Sequence, residues 1–184
     1  PNAPLIVALG GTDVNTYLKT ETETTLSSME YADALVCLHD QVGEKLPNHL
    51  LRKLHIIYQS AKPLSFPRKL SKRNFDICVI GHLRQEKDPL RAAFAVRLLP
   101  KESRVRLFHL GKAHNDDWAQ AAIKEQSQNT RYYWLGDVPG WRVRREFAKT
   151  HLMALTSIQD GGANVISESI VSGVPIVASN IPGN

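Results

Sequence analysis

Two carboxylates eight residues apart, with a glycine pair beside the first, are the part of this 184-residue sequence best suited to chemistry. Asp160 stands before Gly161 and Gly162. Ala163 and Asn164 follow, and Glu168 lies inside a helix expected to begin there and run to about Ser172. Glycines let the backbone approach a ligand closely and turn its N–H groups outward. The start of a helix adds the positive end of its dipole, so the segment makes an anion site, most naturally for phosphate. A carboxylate further along such a helix accepts hydrogen bonds from sugar hydroxyls. Phosphate and sugar together predict a nucleotide sugar. An ordinary strand–helix–strand crossover with a tight turn would account for Gly-Gly alone. It does not call for both acids, for Asn164 at its spacing, or for Gly173-Val174-Pro175.

These residues need a frame. Apolar runs at 5–9, 34–38, 54–58, 75–80, 105–110, 132–135, 152–156 and 174–178 have lengths suited to buried strands. Helix-period segments separate most of them: Ala92, Ala93, Ala95, Val96, Leu98 and Leu99 form one apolar stripe, and Trp118, Ala121, Ala122 and Ile123 another. Such alternation predicts parallel α/β sheets with helices on both faces. Ligands of open sheets bind beyond the carboxyl ends of strands. That gives Gly10-Gly11-Thr12-Asp13, after the first strand, access to one, although Asp13 serves equally as an N-cap for the next helix. Residues 61–74 hold two prolines and five basic residues with no acid, and read as an exposed inter-domain linker or as a basic surface loop. A fresh strand at Phe75 favours the linker and puts the boundary near residue 70.

Composition excludes several classes. At 42% hydrophobic and 22% charged residues, this is ordinary globular protein, enough for one sizeable domain or two small ones. The net charge of +5 is spread among acids, without the basic–aromatic interleaving of a stacking platform, so no nucleic acid partner is expected. Cys37 and Cys78 lie in apolar runs and predict buried thiols in a reducing cytoplasm. No stretch is long and apolar enough for a transmembrane segment, and no signal pattern is present. Seven histidines and two cysteines lack ligand spacing, so no metal and no cofactor is expected.

Residues 157–184 resemble the donor-binding signature of the retaining GT-B glycosyltransferases of group 1: Glu, seven residues, Glu, then a helix and Gly-Val-Pro. The resemblance implies an α/β fold of GT-B type, with two Rossmann-like domains facing a cleft, both incomplete. Residues 1–70 would be the C-terminal half of the acceptor-side domain with its linker, and 71–184 a C-terminally truncated donor domain. It implies that Asp160, one methylene shorter than the Glu of the signature, contacts the donor sugar. Gly161 and Gly162, with Ala163 and Asn164, would meet the diphosphate and sugar, and Glu168 would hold the ribose. The stretch Gly81-His82-Leu83-Arg84-Gln85-Glu86-Lys87-Asp88-Pro89 resembles a loop whose Arg and Lys neutralise the donor diphosphate. Lys87 matches, His82 stands at the Arg position, and Arg84 follows two residues later. Two such cations stabilise a leaving group as its charge builds up. The other reading is a solvated ion pair among Arg84, Glu86 and Lys87, worth at most about 1 kcal/mol. In many relatives the first strand ends His-Gly-Ser-Asp. Here Gly10 takes the His position, which leaves Thr12 and Asp13 for the acceptor side.

Gly-Gly-Thr-Asp, the loop 81–89, Arg-Tyr-Tyr-Trp-Leu-Gly at 131–136 and Asp-Gly-Gly-Ala-Asn-Val-Ile-Ser-Glu together resemble the bacterial selenosugar synthases of selenoneine biosynthesis. That implies a metal-independent hexosyltransferase with a UDP-sugar donor and a small anionic acceptor, selenophosphate, in place of a sugar acceptor. A nucleotide-sugar 2-epimerase and a non-catalytic nucleotide-sugar-binding domain of the same fold are the alternatives. Asp116-Asp117 is not the Asp-x-Asp of metal-dependent transferases and reads as a helix start before Trp118. Trp134 and Trp141 read as packing, or as a stacking surface for the base.

Overall fold

The computed structural model describes residues 3–184, which fall into two compact units. The first holds the described residues up to Ser60 together with the short segments Gln159–Asn164 and Asn180–Asn184. Its sheet has three parallel strands in the order β1-β2-β3: β1 (Ile6–Ala8), β2 (Ala34–Cys37) and β3 (Leu54–Ile56). Each is shorter than its apolar run, although the ladder continues through Leu9 N–H to the Val36 carbonyl (2.8 Å) and Ile57 N–H to the Cys37 carbonyl (2.9 Å). Between β1 and β2 the chain makes a π-helical stretch (Asp13–Tyr17), a short turn α1 (Leu18–Thr20) and α2 (Thr22–Tyr31); α3 (Asn48–Leu51) precedes β3. The period-2 side-chain alternation of β2 buries Leu35 and Cys37 fully, against Met29, Val42 and Leu50.

The second unit holds Ala61–Ile158 and Val165–Ser179. Its five strands are parallel, in the order β6-β5-β4-β7-β8: β4 (Phe75–Ile80), β5 (Val105–Leu110), β6 (Tyr132–Trp134), β7 (Leu152–Leu155) and β8 (Ile176–Ala178). Helices α4 (Arg91–Arg97), α5 (Asp116–Gln128), α6 (Gly140–Phe147) and α7 (Asn164–Val171) connect them. The apolar stripes close the core: Ala93 and Val96 of α4 and Ala122 of α5 pack with Val79, Leu107 and Tyr132. Asn115 caps α5 by accepting the Trp118 N–H at 3.0 Å, and Asp116 and Asp117 sit in the first turn, where the dipole favours acids. The chain begins this sheet in the middle, leaves through β5 and β6 on one side and returns through β7 and β8 on the other. Between β4 and β7 the order reverses, and in open α/β sheets that point leaves a crevice at the carboxyl ends.

The stretch 61–74 is exposed or half-exposed along its length, as its composition predicts, but it is fastened to the second unit. Lys69 N–H donates to the Ala148 carbonyl at 2.8 Å, Arg68 donates to the carbonyls of Gly173 and Thr150, and Arg144 donates to those of Lys62 and Pro63. Prolines remove backbone donors, so guanidinium groups do much of the fastening. Among the described residues no helix is long and apolar enough to cross a membrane. Both cysteines are buried free thiols, and burial pushes Cys78 up to about 12.

Candidate functional site

Two loops leave the carboxyl ends of β4 and β7, and the fold binds them together. After β4, Gln85–Lys87 forms a 3-10 turn that ends at Asp88, whose φ of 41° is left-handed. The Thr156 hydroxyl, just past β7, donates to the carbonyls of Lys87 (3.3 Å) and Asp88 (2.9 Å), and Ile158 N–H donates to the Glu86 carbonyl at 2.9 Å. Behind the loop, fully buried His109 donates from Nε2 to the Gly81 carbonyl (3.1 Å) and accepts the Tyr132 hydroxyl at Nδ1 (3.0 Å). Those two partners assign the tautomer. Burial drives the imidazole down to about 4, against the upward pull of the Gly81 hydrogen bond. It is a neutral brace. Lys87 lines a small hollow with Gly81, His82 and Thr156. Arg84 instead has its Nε 3.9 Å from the Glu86 carboxylate, with both side chains about two-fifths exposed, so the solvated ion pair is present.

Glu168 stands on α7 beside a cavity of about 230 Å³, lined also by Ile80, Gly140, Val143, Arg144, Phe147 and Ser172. Burial raises its carboxyl above the usual range, and the charge of Arg144 opposes that rise. The Gly-Val-Pro sequence sets the end of this helix. Gly173 takes a φ of 68° where α7 stops, Val174 is buried and its N–H donates to the Ser169 carbonyl, and the Pro175 carbonyl accepts Met153 N–H at 2.8 Å. A left-handed glycine past the last turn is the commonest helix stop. The sequence reading missed α6 altogether as a wall of this cavity. Its signal was the spacing 140, 143, 144, 147, which places one face of a helix on the cavity. Trp134 is packing: its Nε1–H donates to the Gly111 carbonyl at 2.9 Å. Trp141 is exposed, with the Arg145 guanidinium 5.0 Å over its ring.

The remaining residues of interest belong to the first unit. The backbones of Gly11 and Gly161 meet: a Cβ on Gly161 would lie 2.2 Å from Gly11 N, and one on Gly11 2.7 Å from Gly161 N. Asn15 Nδ2 donates to the Asp160 carbonyl (3.3 Å) and Gln159 Nε2 to the Thr16 hydroxyl (3.1 Å). The amides expected to face a ligand are partly committed: Gly161 N–H donates to Asp160 Oδ1 at 2.9 Å, and Ala163 N–H to the Gly183 carbonyl at 2.8 Å. A carboxylate one residue away from a loop amide is a stronger local acceptor than solvent, which accounts for the first of these. Asp13 is not an N-cap. The helix already runs from Gly11, Thr12 is exposed and itself helical (φ −67°, ψ −43°), and the Asp13 carboxylate reaches back to accept Gly10 N–H at 2.7 Å.

In the sequence His39 counts only among seven histidines without ligand spacing, although it follows directly on the β2 run. It is 9% exposed, and its Nδ1 has no hydrogen-bond partner among the described residues. Burial lowers its pKa; the carboxylates of Asp40 and Asp160 pull it up, and Lys45 pushes it down. Among the described residues no group of three His, Cys, Asp or Glu side chains is placed to hold a metal ion.

Solved structures share this fold. HepE of Anabaena, in complex with UDP-glucose, superimposes with a TM-score of 0.78 at 15% identity over 98% of this chain and 54% of its own. A variant of TarM from S. aureus, solved with fondaparinux, alpha-GlcNAc-glycerol and UDP, gives 0.74 at 15% identity, covering 98% of this chain and 38% of that one. The pneumococcal O-GlcNAc transferase GtfA, with UDP and GlcNAc, gives 0.71 at 17% identity over 98% and 38%. The chain therefore spans about two-fifths to half of these proteins. No curated protein matches the sequence significantly. The α/β architecture with parallel sheets is that of the GT-B glycosyltransferases. Residues 62–184 match the pattern described as "Glycosyl transferases group 1", and the chain belongs to that family.

Proposed function

We propose that the protein transfers a hexosyl group from a UDP-sugar to a small anionic acceptor, without a metal ion. The observation that carries this reading is Glu168: a half-buried carboxylate on the helix after β7, facing a cavity at the switch point of a parallel sheet. In this reading Glu168 accepts the ribose hydroxyls and Lys87 meets the diphosphate. The first turn of α7, with Gly162 and Asn164, adds its dipole, and Asp160 meets the sugar. Lys87 then stabilises the charge that collects on UDP as the glycosidic bond breaks. Arg84 contributes only if the ligand draws it from Glu86. His39 offers a further hydrogen bond at the end of β2. The three neighbours with bound UDP or UDP-glucose support the donor class.

For the acceptor we propose selenophosphate. The support is the resemblance to selenosugar synthases and the absence of a side chain at Gly10. A strong nucleophile needs little general-base help, so a strand end without an imidazole at that position suits it. The Asp13 carboxylate is turned onto Gly10 N–H, which reduces its repulsion of an anion. The two buried free thiols fit a cytoplasmic setting.

The test is UDP release by the intact enzyme in EDTA. Release that requires added acceptor supports a transferase. Release without acceptor, or only with magnesium or manganese restored, contradicts the reading. Mass spectrometry of the product with selenophosphate decides the acceptor: a selenium-bearing sugar is expected, and transfer to ordinary hydroxyl acceptors alone would refute it.

A further inference from the structure

The opposite edge of the second unit's sheet carries a different feature. At the amino ends of three neighbouring strands, β4, β5 and β6, Arg73, Lys101, Arg104, Arg106 (the second residue of β5) and Arg131 line one cavity of about 310 Å³ together with Asn74 and three small residues. Among the described residues no acidic side chain lines it. We infer that this cavity is a binding site for a small phosphorylated ligand bearing two or more phosphate groups, distinct from the donor site proposed above at the carboxyl ends of β4 and β7.

Charge is the first argument. Five cations share one concavity, and the carboxylate paired with them is that of Asp76, which holds Arg106 through two bonds, Nε to Oδ1 at 2.7 Å and Nη2 to Oδ2 at 2.9 Å. The lining is therefore strongly one-signed, and a concave surface of one sign focuses its field on an incoming counter-ion. Residue type is the second. Four of the five are arginines: the planar forks of Arg73 and Arg104 match phosphate oxygens in pairs, while Arg106 and Arg131, held by protein acceptors, contribute fixed positive charge.

Pre-organisation is the third argument. Asp76 fixes the Arg106 guanidinium, and the carbonyls of Pro100 (2.6 Å) and Val96 (3.4 Å) fix that of Arg131. Both are half-buried, and neither needs to be ordered when a ligand arrives. Arg73, Lys101 and Arg104 are exposed at the rim and can close over it.

The experiment titrates inorganic pyrophosphate into the intact protein at low ionic strength, by calorimetry. One variant neutralises the exposed rim (Arg73→Gln, Lys101→Gln, Arg104→Gln). A control removes the same charge elsewhere (Lys19→Gln, Arg52→Gln, Lys124→Gln), and Lys87→Ala reports the donor side. We expect a binding component that weakens at least tenfold in the rim variant, persists in the control and in Lys87→Ala, and fades as salt rises. No binding by the wild type overturns the site, as does equal loss in the control or loss only in Lys87→Ala. A parallel arm with phosphatidylcholine vesicles containing phosphatidylglycerol tests the membrane alternative. Capture by those vesicles without pyrophosphate binding would make the edge a membrane-facing patch and refute the small-ligand assignment.

Discussion

The hydroxyl of Thr156 donates to the carbonyls of Lys87 and Asp88, at 3.3 and 2.9 Å, and so ties the end of β7 to the cationic loop that leaves β4. The two loops at the switch point are held as one body by a side chain with no part in the family signature.

Thr156→Val keeps the shape and removes the donor, and a net hydrogen bond is worth about 0.5–1.5 kcal/mol. Turnover should fall about two- to tenfold with little change in UDP affinity, and Thr156→Ser should restore it. Unchanged turnover in the valine variant would show that Lys87 needs no such anchor.

Lys87→Ala should lower kcat more than it raises KM, because the diphosphate gains charge only as the bond breaks. Arg84→Ala should have the smaller effect, since its partner in the free protein is Glu86. A pure binding defect for Lys87→Ala, measured by steady-state kinetics over a range of donor concentrations, would remove its leaving-group role.

His39→Ala should weaken UDP-sugar more than UDP, because its buried imidazole, with an unpartnered Nδ1, feels the charge of Asp160, the residue proposed to meet the sugar. Calorimetry with both ligands checks this. Equal loss for the two, or none, contradicts it.

Acid should reveal His109. Its folded value, about 4, lies below the ordinary 6.5, so the unfolded state binds the extra proton between those limits and stability falls as pH drops through them. The full window is worth roughly 3 kcal/mol. Glu146 and Glu168, both raised mainly by burial, act in the opposite sense. The difference between wild type and His109→Gln therefore isolates the term, and denaturant melts at pH 7 and 4.5 should converge for the two proteins in acid. Parallel pH profiles would show that His109 does not titrate with folding.

The strands were legible because each is a short apolar run between polar punctuation, and β4 and β5 match their runs residue for residue. Their order was not: nothing in the run 75–80 says that it will sit between β5 and β7. Spacing also picked out Asp160 and Glu168 as candidates, because both acids lie within one local segment. The cavity wall of α6, the His109 brace and the His39 strand end all depend on contacts between segments far apart in sequence, which local patterns do not encode. The stretch 61–74 shows the same limit. Its prolines and lysines correctly describe an exposed chain, but its fastening comes from Arg68, which reaches carbonyls more than 80 positions away, and from Arg144, which reaches the stretch's own carbonyls across a similar span.

Calorimetric titration of UDP-glucose and UDP-N-acetylglucosamine into the intact protein and its Glu168→Ala variant tests the central claim most directly. The account predicts that the wild type binds at least one of them. It predicts that Glu168→Ala, still folded, loses roughly 1.5–3 kcal/mol of binding, about ten- to a hundredfold. Affinity in the wild type should also decline on acidification from a higher pH than an ordinary carboxylate would give, since burial raises Glu168 and only its ionised form accepts two hydroxyls. Binding of neither nucleotide sugar, or equal affinity in the two proteins, would contradict the account.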